Sequence, residues 1–252
     1  MLRPTIRLGK IAGIDVGVHY SWFAGLALFT WSLASGSLPG QFRGWGESAY
    51  WATGFLAALA LYASVLIHEL AHSIVAKSRG FPVEGITLFF LGGVSSLKAE
   101  SRRARDELVI SSVGPLTSLA LSGVFGVATL AFRRSGGVDA AEVWEGTLSI
   151  SNTPVAAVLS YLALINLLLA AFNTLPAFPL DGGRVLRSVI WGITGSLSKA
   201  TNIATRGGQA AGLVLIGLGA FAVLQGSLLA GLWFGLIGWF LHGAASGQRR
   251  EL

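Results

Sequence analysis

No cysteine occurs anywhere in the 252 residues. Disulfides are therefore excluded, and so are thiolate ligands, which leaves histidine and carboxylate as the side chains able to hold a metal. Charge is scarce too. Asp, Glu, Lys and Arg make up 12% of the chain, where a soluble domain carries about a quarter. Hydrophobic residues make up 53% and the mean hydropathy is +0.66, so an ordinary soluble fold is excluded and a polytopic membrane protein is expected. No internal repeat and no low-complexity tract appears. The first apolar run lacks an early small-residue cleavage site, so it reads as a retained helix, not a removed signal peptide.

The apolar runs predict an all-α bundle of about six transmembrane helices, near 16–35, 50–76, 108–132, 153–172, 204–224 and 228–244. They fill the chain as a single transmembrane domain, 1–252, with no room for a sizeable soluble domain. The third run should break early at Gly114-Pro115, and the fourth starts at Pro154, a favoured first helical residue. Gly231 and Gly235 form a small-xxx-small pair suited to close helix packing. Between the second and third runs, Ile86 to Phe90 is β-branched and aromatic, Gly92-Gly93 interrupts it, and Val94 to Leu97 resumes. This predicts a β-hairpin over about 85–97, too short to span and dipping into the membrane where protein or water covers its edges.

The net charge of +6 and pI near 10.2 would suit nucleic-acid binding if the charges were clustered. They are not. With six spans, fifteen Lys/Arg fall on the side of the termini, whereas Arg43, Arg133 and Arg134 fall opposite. That is a positive-inside bias. It predicts cytosolic termini in a cell membrane, and it assigns the basic balance to topology, with no nucleic-acid partner.

Inside the second run stands His68-Glu69-Leu70-Ala71-His72. Histidines four apart share one helix face, about 6 Å apart along the axis. Both imidazoles can reach one metal, and Glu69 can reach a water beside it; His-Glu-x-x-His is the zinc-hydrolase signature. Paired core histidines are the bland alternative. The uncharged run from Trp51 to Ile67 opposes it, because ionisable groups at membrane depth are costly and mark function. His72 lies about 8 Å and His68 about 14 Å from the exit at Lys77, so the site is buried but near the cytosolic side.

A catalytic zinc takes three protein ligands and keeps one position open. Asp181 is the expected third. It lies near the cytosolic end of the fourth span, in an irregular Pro- and Gly-rich segment that membrane depth tolerates only beside a cavity. His19 and His242 compete but suit the interface. Glu142 and Glu145 fall on the opposite side.

These motifs together resemble the site-2 protease family of intramembrane zinc metalloproteases. The resemblance rests on His68-Glu69-Leu70-Ala71-His72 and on Asn173-x-x-Pro176-x-x-Pro179-Leu180-Asp181-Gly182-Gly183, with Phe90-Leu91-Gly92-Gly93 and Gly114-Pro115 as weaker marks. It implies one Zn2+ per chain, held by His68, His72 and Asp181, with Glu69 as the catalytic glutamate. It also implies that Asn173 orients substrate or oxyanion, and that the strand region of Ile86, Leu88, Phe90, Gly92 and Gly93 holds an unwound substrate by strand addition. The activity implied is hydrolysis of a peptide bond in or near the transmembrane helix of a single-span regulator, such as an anti-sigma factor, within the lipid bilayer. Many relatives carry a PDZ or cystathionine-β-synthase-type domain; these residues leave no room for either. Two other classes compete: a zinc or proton-coupled transporter, whose charges should line the whole path and not one end, and a catalytically silent membrane-binding relative, which intact Glu69 and Asp181 oppose.

Overall fold

The computed structural model describes residues 4–97, 103–135 and 153–250. Glu142 and Glu145, weighed above as ligands, lie outside them. In chain order the elements are β1 (Ile6–Ile11), β2 (Ile14–Val18), α1 (Ser21–Ser32), a π-helical turn (Leu33–Ser37), α2 (Leu38–Gln41), α3 (Glu47–Ser78), β3 (Val83–Phe89), β4 (Gly92–Leu97), α4 (Ala104–Ser135), α5 (Pro154–Asn173), α6 (Asp181–Thr194), α7 (Leu197–Leu224) and α8 (Leu228–Arg250). The chain is mostly helical. Among the described residues, α3, α4, α5, α7 and α8 are long and apolar enough to cross a membrane, close to the six expected.

The difference lies at the first span. Residues 14–18 form a strand, and α1 begins only at Ser21. Ile14, Val16 and Val18 alternate with Asp15 and Gly17, the period-two pattern of a half-buried strand, and these three side chains are buried. The third run also differs: α4 continues through Pro115, which removes one helix hydrogen bond without ending the helix.

The chain divides into two compact units. The first comprises Met1–Leu70, Glu84–Ser96 and Thr117–Leu169. The expected hairpin is part of a larger sheet here, four strands in the order β1-β2-β3-β4. β1 and β2 are antiparallel, and β2 runs parallel to β3 with Val16 opposite Ile86 and Val18 opposite Leu88. A parallel pair needs a long crossover, which α1 to α3 provide. Val18, Leu61, Val65 and Leu88 form a core cluster against which Trp22, Phe29 and Tyr161 pack. The Tyr62 hydroxyl donates to Phe90 O at 2.8 Å, fastening α3 to the β3–β4 turn. Buried Asn166 of α5 donates to Ser64 Oγ at 3.1 Å, a polar tie between two apolar helices.

The second unit comprises Ala71–Val83, Leu97–Leu116 and Ala170–Leu252. Helices α7 and α8 pack backbone to backbone in it. A Cβ at Gly219 would stand 2.9 Å from Gly235 N and 3.0 Å from Gly231 O, and one at Gly238 2.7 Å from Gly212 O. The small-xxx-small pair therefore does what its spacing predicts. Helix α6 starts at Asp181 itself. It buries Gly182, Gly183, Arg187 and Ser188.

Candidate metal centre

Helix α3 places His68 and His72 one turn apart, both buried, at 4% and 8% exposure. Each imidazole is held at Nδ1 by a residue of α4. His68 Nδ1 lies 2.9 Å from the hydroxyl of fully buried Ser118. His72 Nδ1 donates to Ile110 O at 2.6 Å. A carbonyl only accepts, so this bond puts the His72 proton on Nδ1 and, in the neutral ring, a lone pair on Nε2. That Nε2 stands 3.1 Å from Asp181 Oδ2.

Two lone-pair donors this close need positive charge between them, from a second imidazole proton or from a cation. The spacing suits a cation well: ligands about 2.0–2.1 Å from a tetrahedral zinc stand about 3.3 Å apart. His68, His72 and Asp181 each offer one ligand atom, and these atoms all lie within 4.8 Å of one another. With Nδ1 of both histidines engaged by outer partners, the usual support for metal-bound imidazole is in place. The residues fit a zinc ion.

Asp181 arrives by a different construction. Helix α5 ends at Asn173, and the chain turns through Pro176 and Pro179 to Leu180, which is extended at φ −64° and ψ 159°. Asp181 is then the first residue of α6, where the helix dipole favours its negative charge. The next two residues have to be glycine. A Cβ at Gly182 would strike the carbonyls of Thr174 and Leu175, and one at Gly183 would strike Phe178 N and Ala177. Phe178 N–H in turn donates to Ala204 O at 3.1 Å, fixing the turn to α7.

Glu69 follows His68 on α3 and is half-buried. Gly93 of β4 comes so near that an added Cβ would stand 2.7 Å from Glu69 Cγ. Gly92 and Phe90 lie at the β3–β4 turn, half-buried. Ile86 and Leu88 are 1% and 3% exposed, so their side chains serve the sheet's own packing. Among the described strands β4 is an edge of the sheet. Asn173 lines a cavity of about 600 Å3 together with Ser112, Pro115, Leu116, Gly182 and Val185. The competing histidines are engaged elsewhere: His19 Nδ1 accepts from Ser21 N at 3.3 Å, and His242 Nδ1 stands 3.3 Å from Gln209 O.

Sequence reasoning did not find Ser118, Ile110 or the buried ion pair of Glu107 with Arg187. The one available signal was Ser118 inside the apolar run of α4; Glu107 stands in a charged stretch and Arg187 on an amphipathic helix, where a charge is ordinary.

The model of Peptidase family M50 matches residues 56–138 and 133–215. The Rip3 protein of Mycobacterium tuberculosis is 42% identical over 253 residues, covering all of this chain and 60% of the relative. The sll0528 protein of Synechocystis is 38% identical over 99% of this chain and 61% of the relative. The chain thus spans about three fifths of the length of these curated relatives. A solved structure, the site-2 protease from Methanocaldococcus jannaschii, superposes with a TM-score of 0.63 at 30% identity, covering 97% of this chain and 94% of the other. Sharing that fold nearly end to end, with five helices able to cross a bilayer, the chain is a multi-pass membrane protein and belongs to Peptidase family M50, the site-2 proteases.

Proposed function

We propose that the protein is an intramembrane zinc endopeptidase that hydrolyses a peptide bond in or near the transmembrane helix of a membrane-anchored regulator. The observation that carries this reading is the facing of His72 Nε2 and Asp181 Oδ2 at 3.1 Å, with His68 one turn away on the same helix.

His68, His72 and Asp181 hold one zinc ion. Bound there, zinc supplies Lewis acidity, polarising a peptide carbonyl and making water nucleophilic near neutral pH. The Glu69 carboxylate accepts a proton from the water as the C–O bond forms, and delivers it to the amine nitrogen, after which the C–N bond breaks. Asn173, at the end of α5 and beside the cavity, orients the substrate backbone. A substrate helix must unwind first, because its carbonyls are hydrogen-bonded and shielded. The β4 edge offers main-chain partners for the bonds lost in unwinding, in the manner of strand addition. Phe90, Gly92 and Gly93 act there by backbone and shape, while Ile86 and Leu88 hold the sheet from within. The lysine and arginine distribution supports a cytosolic mouth for the site, and both termini share that side when the run from α1 to α2 is counted as a sixth crossing. A single-span regulator such as an anti-sigma factor is the substrate class.

The test is a side-by-side preparation of the wild type and Glu69→Gln in detergent, with zinc content and cleavage of a single-span substrate measured on each. Both should hold about one zinc, and cleavage should fall by about 10²–10⁴-fold in the variant. Undiminished cleavage by Glu69→Gln would remove Glu69 from the chemistry. Absence of zinc from both would remove the metal centre.

A further inference from the structure

The second unit contains a buried ion pair that the proposed chemistry does not use. Glu107, in the first turn of α4, is 3% exposed, and Arg187 of α6 is 7% exposed. Arg187 Nε donates to Glu107 Oε1 at 2.7 Å and its Nη2 donates to the same oxygen. The guanidinium carbon lies 5.7 Å from the centre of the Phe178 ring. Glu107 Oε2 is buried with no hydrogen-bond partner among the described residues.

Stability is a poor reason for such a pair. Desolvating two charges offsets most of their attraction, and well-packed apolar replacements are often as stable. Its position gives a better one. Glu107 lies one turn before Ile110, whose carbonyl holds His72 Nδ1. Arg187 lies six residues, about 9 Å along the axis, beyond Asp181 on α6. The pair therefore bolts the helix that orients one histidine to the helix that carries the carboxylate.

We infer that Glu107 and Arg187 are positioning residues of the metal centre, setting the distance at which Asp181 meets His72. The inference rests on the metal reading above. The fork of Arg187, converging on one oxygen, fixes direction as well as distance, which a lysine ammonium does not. The neighbouring pair, Arg79 Nη1 to Asp106 Oδ1 at 2.5 Å, is partly solvated and serves as the control.

The experiment uses the full chain in detergent. Zinc affinity is measured by competition with a chelator, the visible spectrum of the cobalt-loaded protein reports ligand geometry, and the thermal midpoint reports fold. The variants are Arg187→Lys, the apolar double Glu107→Leu with Arg187→Met, and the control Arg79→Ala. Positioning predicts that the double variant stays folded but binds zinc about 10- to 100-fold more weakly, as when an outer support of a metal ligand is lost, with an altered cobalt spectrum. Arg187→Lys should weaken zinc several-fold, and Arg79→Ala should leave affinity and spectrum unchanged. Folded variants with wild-type zinc affinity and spectrum overturn the inference. Loss of fold in Arg187→Lys and the double variant alike also overturns it, because the pair is then a determinant of fold and not of the site. A wild type that binds no zinc marks failure of the metal reading itself, which the other outcomes leave standing.

Discussion

Helix α3 and the turn from Asn173 to Gly183 bring candidate ligands together by opposite means. On α3 the spacing is local: four residues of regular helix put two imidazoles on one face, whatever surrounds them. On the turn nothing local suffices. The chain leaves a helix, passes two prolines and restarts, and Asp181 arrives where it does because carbonyls of the turn press against Gly182 and Gly183. A helix holds its ligands by its own hydrogen bonds, and the turn holds its ligand by packing. The two halves should therefore fail differently when altered.

The largest effect is expected at the turn's ligand. Asp181→Asn keeps shape but removes the charge that faces His72 Nε2, so zinc affinity should fall by more than the ~100-fold that loss of an outer support costs. Cleavage should disappear with it. Chelator competition and zinc content on the purified variant check this, and wild-type zinc content would place the third ligand elsewhere.

Gly183→Ala comes next and sharpens the contrast. The added methyl meets Phe178 N and the Ala177 carbonyl, rigid backbone that cannot step aside as a side chain would. Overpacking of this kind costs about 1–3 kcal/mol. The thermal midpoint should drop and zinc affinity should fall together, although no ligand has changed. On α3, by comparison, Ile74 is exposed and its replacement touches neither support of the site.

The same contrast explains what the sequence discloses. The pair His68 and His72, the β3–β4 hairpin and the Gly231–Gly235 spacing are short-range patterns readable within a few residues, although the hairpin turn falls at Phe90-Leu91 and Gly92-Gly93 open β4 instead of forming it. Asp181 is readable because the prolines and glycines around it stop a helix. The parallel pairing of β2 with β3 joins residues about seventy apart, and its one local trace, the alternation from Ile14 to Val18, was masked by the apolar helix that follows. Ser118 and Ile110 reach the histidines across fifty and thirty-eight residues. Helical periodicity carries no information about such contacts. Arg187 shows only as a charge on a short amphipathic helix until its partner Glu107, eighty residues earlier, is placed beside it.

The smallest expected effect separates the two histidines. His68 leans on a side chain, the Ser118 hydroxyl, whereas His72 leans on a backbone carbonyl that substitution at Ile110 leaves in place. Ser118→Ala removes one support and creates almost no void, since only an oxygen is lost. His68 keeps its place on α3 but loses the bond that fixes its ring, and zinc affinity should fall by about 10-fold, the low end for an outer partner. The thermal midpoint should barely move. Substitution of Ile110 by valine should leave zinc affinity unchanged, because its carbonyl still accepts from His72. If Ser118→Ala binds zinc as tightly as the wild type, the ring of His68 is held by its helix and packing alone, without the hydroxyl.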